Sequence, residues 1–143
     1  MSDTTLVQTK TSPLPAWLRA MRPKQWVKNI LVFAAPVAAG ALFDPRVLIN
    51  SLWAFVSFSL ISASIYLIND VRDVDADRLH PKKRFRPIAA GELGPRTATI
   101  LAAVTMIGSL ALGWWVAPML GITLAVYWVL QVGYSMFLKH QPI

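Results

Sequence analysis

From residue 47 to residue 68 the chain runs 22 residues without a charge, a length that reads as a membrane-spanning helix. The run ends in a second feature. Asn69-Asp70-Val71-Arg72-Asp73-Val74-Asp75-Ala76-Asp77 packs four carboxylates and one amide into nine residues. An Asp at the bilayer centre costs roughly 2.5–3.5 kcal/mol on insertion scales. The cluster therefore belongs at the membrane surface or in a wet cavity, and it marks a candidate functional site.

Continued as a helix at about 100° per residue, the cluster has a face. With Asp70 at zero, Asp77 falls at about −20°, Asp73 at about −60° and Asn69 at about −100°, whereas Asp75 points away at about +140°. Three carboxylates and an amide share roughly a quarter of the surface, at the spacing of helical neighbours. Like charges so placed repel, and divalent cations remove the repulsion. Mg2+ takes one or two carboxylates together with substrate phosphates and waters. The pattern suits an Mg2+–diphosphate site, with Asp70, Asp73 and Asp77 as candidate metal ligands. The alternative is an acidic helix end solvated in a loop beside basic residues. An EF-hand is excluded by the missing mid-loop Gly and closing Glu.

The whole chain agrees with a membrane setting. Of 143 residues 55% are hydrophobic and 15% charged, with a mean hydropathy of +0.50. The expected fold is all-α, a multi-pass transmembrane bundle with spans at about 26–43, 47–68, 97–116 and 119–138. Residues 1–16 read as a disordered polar tail, and 17–25 as a short interfacial helix with Trp17 at headgroup depth. Lys28 and Asn29, at the entry of the first span, either snorkel to the interface or face the acidic cluster and hold a phosphate. Ser57, Ser59, Ser62 and Ser64 line a polar cavity or make helix contacts. Net charge is +7, but the basic residues concentrate before the first span and in the 69–96 loop. Membrane topology explains that distribution better than nucleic-acid binding. The positive-inside rule then puts the N-terminus, the 69–96 loop and the C-terminus in the cytoplasm. Absence of cysteine excludes disulfides and thiolate chemistry, and two distant histidines do not suggest zinc.

Lys82, Lys83, Arg84 and Arg86 lie within ten residues of Asp77. A carboxylate–Mg2+ site for diphosphate needs such cations for the leaving group, Arg as a bidentate fork and Lys as a mobile point charge. The alternative is a basic anchor on anionic lipid.

Asn69-Asp70-x-x-Asp73-x-x-x-Asp77 at the end of a second membrane helix resembles the first aspartate-rich motif of the UbiA superfamily of intramembrane prenyltransferases. Arg86-Pro87 with Gly91 is similar to the loop that follows it. Residues 21–29 (MRPKQWVKN), 83–93 (KRFRPIAAGEL) and 138–141 (LKHQ) resemble the phosphoribosyl-transferring branch, which acts on decaprenyl phosphate in cell-wall arabinan synthesis. The likeness covers about 17–143. It implies a nine-helix bundle and transfer of phosphoribose from 5-phosphoribosyl 1-diphosphate to a polyprenyl phosphate. It further implies Mg2+ on Asp70, Asp73 and Asp77, Asn69 orienting the diphosphate, and Lys28, Lys83, Arg84 and Arg86 neutralising it, with Asp73 and Asp77 carrying catalysis. Elsewhere in the superfamily a prenyl group moves from its diphosphate to an aromatic acceptor.

Four spans are less than half of that bundle, and no carboxylate follows Glu92, so the second aspartate motif has no counterpart here. The expectation is the N-terminal half of such an enzyme, inactive alone, with membrane lipids around it and a C-terminal half or second chain to complete it. Two other readings stand: a non-catalytic four-helix membrane protein, and a small transporter, for which charges at one surface rather than mid-bilayer are unusual.

Overall fold

The computed structural model describes residues 14–138. The expectations for the tail before Leu14 and for Lys139 and His140 lie outside the described residues. Within them every regular element is helical. In chain order these are α1 (Ala16–Ala20), a 3-10 helix (Pro23–Phe33), α2 (Ala34–Ala38), α3 (Pro45–Arg72) and α4 (Val74–Leu79). A 3-10 turn (Lys83–Phe85), α5 (Pro95–Val116), α6 (Pro118–Gly133) and a π-helical turn (Tyr134–Leu138) complete them. Among the described residues three helices are long and apolar enough to cross a membrane: Pro45–Arg72, Pro95–Val116 and Pro118–Phe137.

Each of the three opens on a proline, whose missing N–H costs nothing in the first turn. At α3 the Asp44 carboxylate also accepts from the Arg46 N–H at 3.0 Å, capping the helix. α3 is the central helix. Half of its apolar window is buried, against 22% and 17% for the other two.

Helix contacts form at two of its serines, through the hydroxyl of Ser64 and the backbone carbonyl of Ser57. Ser64 Oγ donates to the Ala102 carbonyl at 2.8 Å, and Ser109 Oγ donates to the Ser57 carbonyl at 2.7 Å. Trp128 Nε1 donates to Ser64 Oγ at 3.1 Å. Small side chains let backbones approach, and in an apolar medium such bonds contribute about 0.6 kcal/mol each. The α5–α6 hairpin closes just as tightly on glycine, since a Cβ at Gly113 would stand 2.4 Å from Leu124 Cδ1.

The expected first span, 26–43, is corrected. No continuous α-helix forms there. Pro36 cannot donate to the preceding turn. Gly40, at φ 69°, then stops α2, with its N–H on the Val37 carbonyl and the Ala41 N–H on the Pro36 carbonyl, a left-handed helix closure. The segment still follows α3 in the opposite direction. Arg22 meets Asp70, Asn29 meets Ser59 and Phe33 meets Phe55. Eleven residues at about 2.0 Å and fifteen at about 1.5 Å both cover roughly 22 Å. The stretched 3-10 form keeps step with α3 using fewer residues.

The 69–96 loop is packed onto one end of the bundle. Ile88, Ala89 and Leu93 are buried, and Ile88 and Leu93 share a core with Ala20 of α1 and Met21 just after it, Ala63 and Leu67 of α3, and Ala98 and Ala102 of α5. Burying Ile88 alone contributes about 2 kcal/mol. This small core fixes where the basic residues of the loop stand.

Candidate functional site

The acidic turn lies where α3 gives way to α4. Asp73, at φ −91° and ψ 9°, interrupts the regular helix, yet its N–H bonds to the Asn69 carbonyl at 2.9 Å. The Asp77 N–H bonds to the Asp73 carbonyl at 2.8 Å. Helical spacing therefore survives the break, and Asp75 is exposed, as its angle required.

What does not survive is the single shared face. Asp70 and Asp77 are buried together, their side chains 2% and 4% exposed. Arg86 Nη1 donates to Asp70 Oδ1 at 3.3 Å and to Asp77 Oδ2 at 3.2 Å. Arg22 Nη2 donates to the same Asp70 Oδ1 at 2.6 Å, and its guanidinium stacks 4.7 Å from the centre of the Tyr66 ring. Two carboxylates thus meet two guanidiniums. Arg22 reaches them from a left-handed backbone, φ 54° and ψ 62°, at a cost of about 1 kcal/mol. Pro23 does not impose this, because the residue before a proline is steered to extended backbone; the contacts of Arg22 with Asp70 and Tyr66 accompany the left-handed turn instead.

Asn69 and Asp73 turn to α6 instead. Ser135, buried in the π-helical turn, donates its hydroxyl to Asn69 Oδ1, and its carbonyl accepts from Arg72 Nη1. Arg72 Nη2 holds Asp73 Oδ1 at 3.0 Å. Since Oδ1 of Asn69 accepts from Ser135, its amide nitrogen is the donor end, with no hydrogen-bond partner among the described residues. The Asp73 side chain is 16% exposed, more open than either buried carboxylate. Arg72 Nε is a buried donor without a hydrogen-bond partner among the described residues.

The basic candidates separate. Arg86 is in the cluster. Lys83 and Arg84 are exposed on the 3-10 turn, Arg84 over the Phe85 ring at 5.0 Å. His80 shapes that turn by accepting the N–H groups of Lys82 and Lys83 at Nδ1, at 3.0 and 3.1 Å. Lys28 lines an open groove of about 520 Å³ with Asn29, Phe58 and Tyr127, and Asn29 bonds to Ser59 Oγ at 3.3 Å, three helical turns along α3 from Asp70. Neither is brought to the acidic turn. Arg22, Tyr66 and Ser135 were missed by sequence reasoning. Only Arg22 carried a local signal, a basic residue before a proline at the membrane surface.

No three carboxylate or imidazole groups converge as a metal cage among the described residues. The donor set still fits an ion that keeps waters and takes substrate phosphates, because Mg2+ of that kind needs only one or two protein carboxylates. Asp73 is the most accessible of the three candidates.

Comparison with known proteins bears on what this geometry serves. Residues 30–143 match the UbiA prenyltransferase family. A decaprenyl-phosphate phosphoribosyltransferase of Mycobacterium tuberculosis is 46% identical over 147 aligned positions, covering the whole chain and 49% of the relative. Proteins of the same name are 49% identical in Mycolicibacterium smegmatis, over 88% of the chain and 41% of the relative, and 48% identical in Corynebacterium glutamicum, over 88% and 39%. The chain spans about half the length of the curated relatives it matches, or less.

Proposed function

Because the chain belongs to the UbiA prenyltransferase family, we propose that it is the diphosphate-gripping part of a membrane transferase. The transferase moves 5-phosphoribose from 5-phosphoribosyl 1-diphosphate to a polyprenyl phosphate such as decaprenyl phosphate, for cell-wall arabinan precursors. A phosphate oxygen of the lipid forms the new bond to the anomeric carbon as the bond to diphosphate breaks. The observation that carries this reading is the pairing of Asp70 and Asp77 with Arg22 and Arg86, next to Asn69 and Asp73, at one end of three apolar helices. A diphosphate needs cations and donors there, and the lipid tail needs a bilayer.

Asn69 donates its amide to a phosphate oxygen, oriented by Ser135. Arg86 places guanidinium charge at the site, with Lys83 and Arg84 at its exposed rim. Asp73, the most open of the three carboxylates, belongs to the side that holds Mg2+. A bound divalent cation offsets charge developing on the departing diphosphate. Fixed donors of this kind lower the barrier because they need no rearrangement as charge develops. The acidic turn, the basic loop and the N-terminus face the cytoplasm, where the phosphorylated donor is soluble. The relatives' greater length supports a further part of the bundle, in the same reading frame or a second chain, that completes the cavity.

The test uses membranes carrying the protein expressed from its full reading frame. These receive ribose-labelled 5-phosphoribosyl 1-diphosphate, decaprenyl phosphate and Mg2+. Label entering the lipid fraction supports the reading. Transfer only from a prenyl diphosphate to an aromatic acceptor replaces it with the other UbiA-type reaction. No transfer from either donor by inserted protein favours a non-catalytic role.

A further inference from the structure

Asp70 occupies the most enclosed position in the acidic turn, its side chain 2% exposed against 16% for Asp73. Both guanidiniums of the cluster converge on one of its oxygens, Oδ1, at 2.6 and 3.3 Å. A divalent cation on that oxygen would stand against two like charges within hydrogen-bond reach, where burial weakens screening. Arg22 is fixed from three directions: its left-handed backbone, the Tyr66 ring and Asp70. A guanidinium has five donors in a rigid fork. Asp70 takes one from Arg22, whose side chain remains 26% exposed, as Arg86 remains 29% exposed. Arg22 also lines a surface cavity of about 230 Å³ with Arg19 and Lys24, room for a phosphate group with several waters. The family match begins at residue 30, after Arg22.

We infer that Asp70 is the counter-ion that holds Arg22 and Arg86 ready for a phosphate group, rather than a ligand of the divalent cation, and that Arg22 is a further anion-binding residue. The inference rests on the transferase reading above. It divides the labour within one motif. Asp73 serves the cation, and Asp70 serves the arginines that serve the anion.

The experiment compares Asp70→Asn, Asp73→Asn and Arg22→Lys in the full-length protein in detergent. Mn2+ binding is counted by electron paramagnetic resonance, and donor KM is measured at saturating metal. The expected result is Mn2+ affinity within about 3-fold of wild type for Asp70→Asn and Arg22→Lys, with donor KM raised about tenfold or more in both. Asp73→Asn should weaken Mn2+ binding about 30-fold or more. Arg22→Gly suits the left-handed backbone and removes the guanidinium, so it gives the KM readout even where Asp70→Asn does not fold. Loss of Mn2+ binding in Asp70→Asn equal to that in Asp73→Asn overturns the inference, as does an unchanged KM in Arg22→Gly. A wild-type protein that binds neither Mn2+ nor the donor overturns the transferase reading itself and is told apart by needing no substitution.

Discussion

Two faces of one acidic turn, separated by roughly a sixth to a quarter of a helical revolution, behave as different materials. On one, Asp70 and Asp77 are buried and paired with Arg22 and Arg86, two negative charges against two positive. On the other, Asn69 and Asp73 hang from α6 through Ser135 and Arg72, and the carboxylate stays partly open. The residue types are nearly the same. The neighbours differ, and they separate a buried ion-pair knot from a more accessible carboxylate. A buried pair is poor evidence of stabilisation but costly to break from one side, so the first face is a rigid support and the second is the more accessible of the two.

Substitutions can break this contrast, beginning with the largest expected effect. Asp73→Asn in the full-length protein should reduce metal-dependent transfer about 10²–10³-fold, as removal of a transition-state charge partner does, while membrane insertion is intact. Radiolabel transfer and membrane flotation, read together, check both halves. Arg86→Met strikes the opposite face and leaves two buried carboxylates short of a cation. It should lower stability by about 3 kcal/mol, the lower end for one-sided breakage of a buried pair, because the guanidinium is 29% exposed. Thermal unfolding in detergent measures it, and a drop under about 1 kcal/mol would dissolve the distinction between the faces.

Ser135→Ala tests the other face gently. Losing one hydroxyl donor to Asn69 should cost about 1 kcal/mol, seen as a several-fold rise in donor KM with kcat nearly constant, and Ser135→Thr should restore it in part. Asp75→Asn sharpens the comparison by doing nothing. Exposed and off both faces, it should change stability by no more than about 0.5 kcal/mol, and a larger shift in the same unfolding assay would mean that the turn is read in the wrong register.

Much of the bundle was legible. The runs at 47–68 and 97–116 fall within two of the three long helices and the run at 119–138 matches the third to within one residue, because an apolar run and its flanking prolines are local properties of the chain. The 26–43 run was not, since a stretch held alongside α3 can keep pace with it as a 3-10 helix, and Gly40 stops what length and hydropathy would extend. The exposure of Asp75 followed from angle alone. The separation of Asp70 from Asp73 did not, because an interval of about 60° is a shared face to one distant neighbour and a boundary to two.

The amino-acid sequence by itself determined that this chain has membrane-length helices, that an acidic turn ends one of them, and that a basic loop follows closely. All three are set by neighbours in the chain. The tertiary structure alone decided which cation meets which carboxylate. Arg22 and Asp70 are 48 residues apart, and Ser135 and Asn69 are 66 apart. Such contacts depend on how α1, the 3-10 helix and α6 pack against α3, where burial, sterics and backbone geometry select one partner among several of equal charge.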